Sequence, residues 1–196
     1  MDLVTLGRTL GFSFSAGINL YATVALMGLA ARYDWVALPP QFEAFDNDFV
    51  IGAALVMYAI EFAADKIPWV DTLWDGVHTL IRPLGGALIA VAALGDASPT
   101  VQGLMALLGG TVAAGSHFAK AGSRTVVNAS PEPFSNTIVS LFEDVFVLAL
   151  GFLALALPLI ALGVTVVLFI LIIVFAVRLL KVVRRRWRPR HPVPSG

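Results

Sequence analysis

Four apolar runs in this chain are each too short to do what their composition demands. Phe49–Ile60 has 12 residues before Glu61, and Pro83–Gly95 has 13 after Arg82. Val101–Ser116 has 16 before His117, and Val145–Leu157 has 13 between Asp144 and Pro158. A bilayer-crossing helix needs about 20 apolar residues. Either these helices carry their charges into the membrane, or they are half-helices that do not cross. Both outcomes place ionisable groups at membrane depth, where they face a cavity or one another. Composition makes the bilayer hard to avoid. The chain of 196 residues is 58% hydrophobic and 13% charged, with mean hydropathy +0.86. A soluble domain carries about 25% charged residues. There is no cysteine, which excludes disulfides, thiol nucleophiles and thiolate metal sites.

The charges concentrate in two stretches. In Tyr58–Pro83 they are Glu61, Asp65, Lys66, Asp71, Asp75 and Arg82, joined by His78. On a helix starting at Pro68, Asp71, Asp75, His78 and Arg82 fall at i, i+4, i+7 and i+11 and share one face. In the second stretch His117, Lys120, Arg124 and Asn128 are spaced i, i+3, i+7 and i+11, again a single face. Ala129–Pro133 breaks that helix, and Asn136, Ser140, Glu143 and Asp144 line one side of the next. One face is rich in acids and the other in bases, so the two are expected to pack together, with Glu61, Glu143 and Asp144 closing the ring. Seven acids of these stretches, Glu61, Asp65, Asp71, Asp75, Glu132, Glu143 and Asp144, outnumber Lys66, Arg82, Lys120 and Arg124 by three. That excess points to protonation, a bound cation or water access, with Asp75, His78 and Glu61 as working groups and the bases orienting them. A metal at Asp71, Asp75 and His78 is weighed as weaker than ion pairing, so the metal assignment stays unknown.

Elsewhere the pattern is simpler. Thr9–Ala31 is free of charge and reads as the first span, with Met1–Leu10 as its start and not a cleaved leader. Its stripe of Ser15, Asn19 and Thr23 fits interhelical hydrogen bonding better than ligand binding. Arg32–Asp48 is an acidic connection with interfacial Tyr33 and Trp35. Ala106, Gly110 and Ala114, beside Gly109 and Ala113, allow close helix approach. Val145–Val177 has 33 uncharged residues, and Pro158 divides it into two helices. Phe49–Gly95 and Val101–Leu157 use one arrangement twice, which suggests a helix-pair repeat 49–95 and 101–157.

The strings SAGINLYATVALMGLAAR, EFAADKIPWVDTLWDGVHTLIRP and HFAKAGSRTVVNASPEPFSN resemble the bacterial membrane family catalogued as domain of unknown function 4126. The resemblance covers about residues 10 to 157. It implies a multi-pass protein of the bacterial inner membrane and brings no activity with it.

The expectation is therefore an all-α polytopic membrane bundle of about six helices, some short or broken at Pro or Gly. It forms one domain, 1–183, followed by a basic, proline-rich tail, 184–196. Basic residues near the C-terminus place both termini in the cytoplasm on a six-span count. Expected partners are the lipid bilayer, anionic lipid at the tail, a small solute or ion, and a second copy in a homo-oligomer, with no nucleic acid. Nothing calls for a cofactor. A transporter or channel-like permease, with proton coupling as an option, leads. A lipid-modifying or lipid-flipping protein and a non-catalytic assembly factor are the alternatives. No GxSxG or HExxH is present, and no sequence signal selects an enzyme.

Overall fold

A computed structural model describes residues 2–129 and 133–186. All regular structure among them is helical: α1 Leu3–Ile18, α2 Leu20–Arg32, a 3-10 turn Pro40–Phe45, α3 Asp48–Ala64, α4 Pro68–Leu94, α5 Pro99–Asn128, α6 Pro133–Ala156 and α7 Pro158–Arg186. Punctuation in the sequence sets these bounds. Proline occupies the first helical position of α4, α5, α6 and α7, where its missing N–H has no intrahelical partner to lose. Asn47 and Ser98 cap α3 and α5 with their side chains. Gly95, at φ 75°, ends α4 in the left-handed region that glycine tolerates. Among the described residues, three helices are long and apolar enough to cross a membrane: Pro68–Leu94, Phe134–Ala156 and Pro158–Arg184. With the shorter apolar helices around them they make this a membrane protein. The short apolar runs are resolved mainly in one of the two ways available, because α4, α5 and α6 continue straight through their charged residues.

The half-helix solution appears where it was not expected. Thr9–Ala31 is not one span. It is two helices broken at Asn19, which is extended at φ −144°, ψ 99°. The Asn19 backbone N–H still bonds Ser15 O at 2.9 Å, closing α1, while its Oδ1 accepts from Ala22 N at 2.9 Å, opening α2. An asparagine side chain competes with the backbone for helical hydrogen bonds, and here it starts a new helix instead of continuing the old one.

The break reverses the chain. Going along α1, Gly7 packs on Pro158, Gly11 on Ala154 and Phe14 on Phe146, and Asn19 reaches Asp144. α1 therefore runs antiparallel to α6. α2 then climbs back: Leu26 covers Gly151, Trp35 stacks on Phe152, and Arg8 of α1 donates to Ala37 O beyond the end of α2. Both arms open at the same end of the bundle. α1 has 16 residues and α2 has 13, so each arm is about 20–24 Å long, short of a bilayer core of about 30 Å. From Gly7 to Ile18 only Arg8 escapes burial, and α1 touches α2, α4, α5, α6 and α7. It is the central post of the fold. Phe12, Phe14, Met27, Phe42, Val147 and Ala154 fill the core around it.

The reversal bears on the expectation that both termini share one side. α7 starts beside Gly7 and runs to Leu179, which shares a groove with Val126 near the end of α5. The start of α1 and the end of α7 therefore lie at opposite ends of the bundle. Arg32, the base at the start of the acidic connection, is bound by Asp46 at 2.8 Å and Asp48 at 2.7 Å. The buried small-residue row of α5 is Gly109 and Ala113, one step round from Ala106–Gly110–Ala114. It meets Gly86 and Ala90 of α4. The proline-rich end 187–196 and the expected acid Glu132 fall outside the described residues.

Two outcomes follow. The chain has no native cysteine, so single cysteines at Asp2, Asp46 and Arg184 can be labelled cleanly from either side of a vesicle. The first two should react from one side and the third from the other; labelling of Asp2 and Arg184 from the same side would remove the hairpin. At the tip, a Cβ on Gly17 would overlap the Ala113 carbonyl and the Ser116 hydroxyl, whereas Gly52 has nothing within 4 Å. Gly17→Leu should lower stability by about 1–3 kcal/mol or more and Gly52→Leu should leave it unchanged, read as thermal unfolding in detergent.

Candidate functional site

The two polar faces meet inside the bundle and form two linked nodes. The first is Arg82, whose side chain is fully buried. Its guanidinium donates to Glu61 Oε1 at 2.7 Å, Asp75 Oδ1 at 2.9 Å and His117 Nδ1 at 2.9 Å. A guanidinium can only donate, so Nδ1 of His117 carries no proton and the ring proton sits on Nε2. That nitrogen faces Thr79 Oγ1 at 3.2 Å, and the threonine hydroxyl in turn donates to Asp75 O. The histidine is thus held as a neutral acceptor beside an arginine, with α4 supplying both of its neighbours.

The second node is Lys120 with Arg124. Lys120 Nζ lies 2.7 Å from Asp65 Oδ2, 3.5 Å from Glu61 Oε1 and 3.8 Å from Glu143 Oε2. It also donates to the carbonyl of Ile18, the last residue of α1, at 3.3 Å. A cation at the C-terminal end of a helix meets the negative end of its dipole and one of its unpaired carbonyls. Arg124 grips Glu143 through Nε at 3.0 Å and Nη2 at 2.6 Å, reaches Asp65 Oδ2 at 3.3 Å, and donates to Asn136 Oδ1 at 2.6 Å. Asn136 also donates to Asp65 O at 2.8 Å. The turn between α3 and α4 is thereby tied to α5 and α6 at once.

Two carboxylates stand apart from these bases. Asp71, in the first turn of α4, is held by Asn128 Nδ2 at 2.6 Å. Asp144 is held by Asn19 Nδ2 at 3.2 Å, at the break of the hairpin, and makes no ion pair within 4 Å among the described residues. His78 faces neither node. Its Nδ1 bonds the Trp74 carbonyl at 2.7 Å and must carry the proton there, so Nε2 accepts from the Tyr21 hydroxyl at 2.9 Å. Each of Glu61, Asp65, Asp71, Asp75 and Asp144 retains one buried oxygen without a hydrogen-bond partner. Six buried or half-buried carboxylates, Glu143 included, thus face three bases, and five of them keep a free acceptor atom.

Most of the expected residues are brought together, but His78 and Asp71 lie outside the two nodes. Asp144 does not close the ring onto a base but meets the hairpin tip. Lys66 stays out of the network: its ammonium donates to Phe62 O at 2.8 Å and lies over the Phe62 ring. Among the described residues no three His, Asp or Glu side chains are grouped to hold a metal. Of the first-helix stripe, Asn19 and Thr23 are engaged at the break, Thr23 Oγ1 donating to Asn19 O at 2.8 Å, while Ser15 Oγ is buried without a partner. Tyr21, Thr79 and the Ile18 carbonyl were missed. Tyr21 sits two residues past Asn19, and only knowledge of the break would have singled it out. Ser116 and His117, adjacent in sequence, face different partners, since Ser116 Oγ donates to Phe14 O at 2.8 Å.

A helical membrane bundle whose interior carries a network of carboxylates and bases around a broken helix is the class this fold and site define. Residues 6–178 match the family described as a domain of unknown function (DUF4126), and the chain belongs to that family. No curated protein and no solved structure matches it.

Arg124 holds the most partners, and removing one member of a buried ion pair strands the rest. Arg124→Gln should lower stability by about 3–5 kcal/mol, measured as loss of folded yield and earlier thermal unfolding. A near-native unfolding temperature would mean that water already solvates this node.

Proposed function

We propose that the protein is a small permease for an ion or small polar solute, coupled to a proton carried on Asp144. The observation that carries this reading is the hairpin break at Asn19, set among intramembrane carboxylates. Discontinuous helices are the means by which a membrane protein brings unpaired backbone groups and helix-dipole ends to a polar site at depth. Here the C-terminal end of α1 faces Lys120 through the Ile18 carbonyl, and the N-terminal end of α2 is capped by Asn19, which also binds Asp144. One buried carboxylate without a basic partner, holding one free oxygen, suits a species of single positive charge. Two or three grouped acids would be expected for a divalent ion.

In this reading the proton binds Asp144 Oδ2 and removes the negative charge that the Asn19 amide donates to. The tip then holds Asp144 through a weaker, neutral hydrogen bond and can shift against α6. The Arg82 and Arg124 nodes keep α3, α4, α5 and the start of α6 fixed while the tip moves. Arg178, Lys181 and Arg184 at the end of α7 support a cytoplasmic side for that end in a bacterial inner membrane, by the positive-inside rule. The hairpin then opens to the outside.

The test is proton flux into proteoliposomes holding a pH-sensitive dye, driven by an imposed potassium diffusion potential. Wild type should acidify the lumen; Asp144→Asn, which keeps the hydrogen bond to Asn19 within reach, should fold normally and lose at least tenfold in rate. Equal rates for the two proteins would reject Asp144 as the carrier, and no flux from either would reject proton coupling.

A further inference from the structure

Along the seam of α1, α6 and α7, four buried oxygens have no hydrogen-bond partner among the described residues. They are Ser15 Oγ on α1, Ser140 Oγ and Asp144 Oδ2 on α6, and Thr165 Oγ1 on α7. Ser15, Ser140 and Thr165 are each 0% exposed. A buried hydroxyl without a partner is costly, and alanine or valine in its place would avoid the cost. Three such hydroxyls around one carboxylate call for a use.

Helix register brings them into line. α1 and α7 run parallel, since Gly7 packs on Pro158 and Leu162, and Gly11 on Ala161. One turn further along both helices stand Ser15 and Thr165, four residues on from Gly11 and from Ala161, so their hydroxyls share a level of the α1–α7 contact. Ser15 is one turn before Asn19, whose amide holds Asp144. On α6, which runs the other way, Ser140 is one turn before Asp144 and on the same side of the helix. The order along the seam is therefore Thr165 with Ser15, then Asp144, then Ser140, with hydroxyls on both sides of the carboxylate. Successive levels are four residues apart, about 6 Å. That is close to two O–H···O distances of about 2.8 Å, so one bridging water completes each step. Toward the open end of the hairpin Gly11 closes tightly on Ala154, which seals the seam while the hairpin is seated.

We propose that Thr165, Ser15 and Ser140 are relay residues that carry the proton to and from Asp144. The inference rests on the proton-coupled reading above and names the route which that reading requires. Each hydroxyl takes a proton on its oxygen as it releases its own to the next oxygen, so the O–H is conserved and only its rotation has to reset. Serine and threonine suit the task because one atom both donates and accepts.

The test uses the same proteoliposomes and imposed potassium potential. Thr165→Val removes the hydroxyl at constant shape, whereas Thr165→Ser keeps it. Thr165→Val, Ser15→Ala and Ser140→Ala should each slow proton flux by on the order of tenfold or more, as loss of a proton-transfer group does. Thr165→Ser should stay near the wild-type rate. Thr9 supplies the control: its hydroxyl is equally buried and unpaired, but six residues from Ser15 it lies on another face of α1. Thr9→Val should leave the rate unchanged. Wild-type rates in Thr165→Val and Ser140→Ala, with Asp144→Asn inactive, would overturn the relay and leave Asp144 as the carrier. No flux from wild type would overturn both readings together. Thermal unfolding gives a measure independent of flux. If Thr165 Oγ1 binds water, Thr165→Val should unfold at the same temperature as wild type or lower; a higher temperature would show a dry, unpaired hydroxyl and overturn the relay.

Discussion

Three cations buried in an apolar bundle are the constraint on which this structure turns. A charge at the centre of a bilayer costs about 2.5–3.5 kcal/mol even on the most lenient scale. Arg82, Lys120 and Arg124 are nonetheless almost fully enclosed. They are tolerable because nearly all of their nitrogens find a carboxylate, a carbonyl, an amide or the His117 ring, with Arg82 Nε left without a partner. The ring aside, those acceptors come from α1, α3, α4, α6 and the α3–α4 turn. The network can form only when all of these elements are in place, so it selects one packing of the bundle over the alternatives that apolar contacts alone would allow. Apolar surface cannot do this in lipid, where the tails compete on equal terms with neighbouring helices.

The central hairpin depends on the same network and on small residues. Gly7, Gly11 and Gly17 let α1 lie against Pro158, Ala154 and the Ala113–Ser116 turn without a side chain between. Close contact brings the broken end of α1 within reach of Lys120, and the unpaired carbonyl there finds a cation instead of lipid. At the other arm, Asn19 serves as the cap of α2 and as the donor to Asp144. Two backbone ends at membrane depth are thus each met by a polar partner, which is the condition for a break to exist there at all.

The network is arranged with more acceptors than donors. Bidentate and charge-assisted contacts use one oxygen of each acid and leave the second buried and open on Glu61, Asp65, Asp71, Asp75 and Asp144. A static lock would be expected to match its charges. On the proposed reading, the free acceptor atoms beside the broken helix would take up and release a positive charge. The histidines fit the same plan: His117 and His78 each spend one nitrogen as an acceptor and one as a donor, towards Arg82 and Thr79 or Tyr21 and Trp74.

Local chemistry in the chain determined a good deal by itself. Low charge content and long apolar segments settle a helical membrane protein, prolines 68, 99, 133 and 158 mark helix starts, and i, i+4, i+7 spacing puts Asp71, Asp75, His78 and Arg82 on one face. All of these are short-range properties, readable because helical geometry repeats every 3.6 residues. What the chain could not show is which acid meets which base, because Glu61–Arg82 and Asp65–Lys120 are contacts between helices far apart in sequence. Nor could it show that Asn19 breaks a helix, since the same residue in a polar stripe would equally serve a continuous span. The break is stable only because Asp144, Lys120 and the glycine-lined surface of α1 are waiting for it. Tertiary packing made that choice, through backbone groups that lipid would not satisfy and neighbouring helices do.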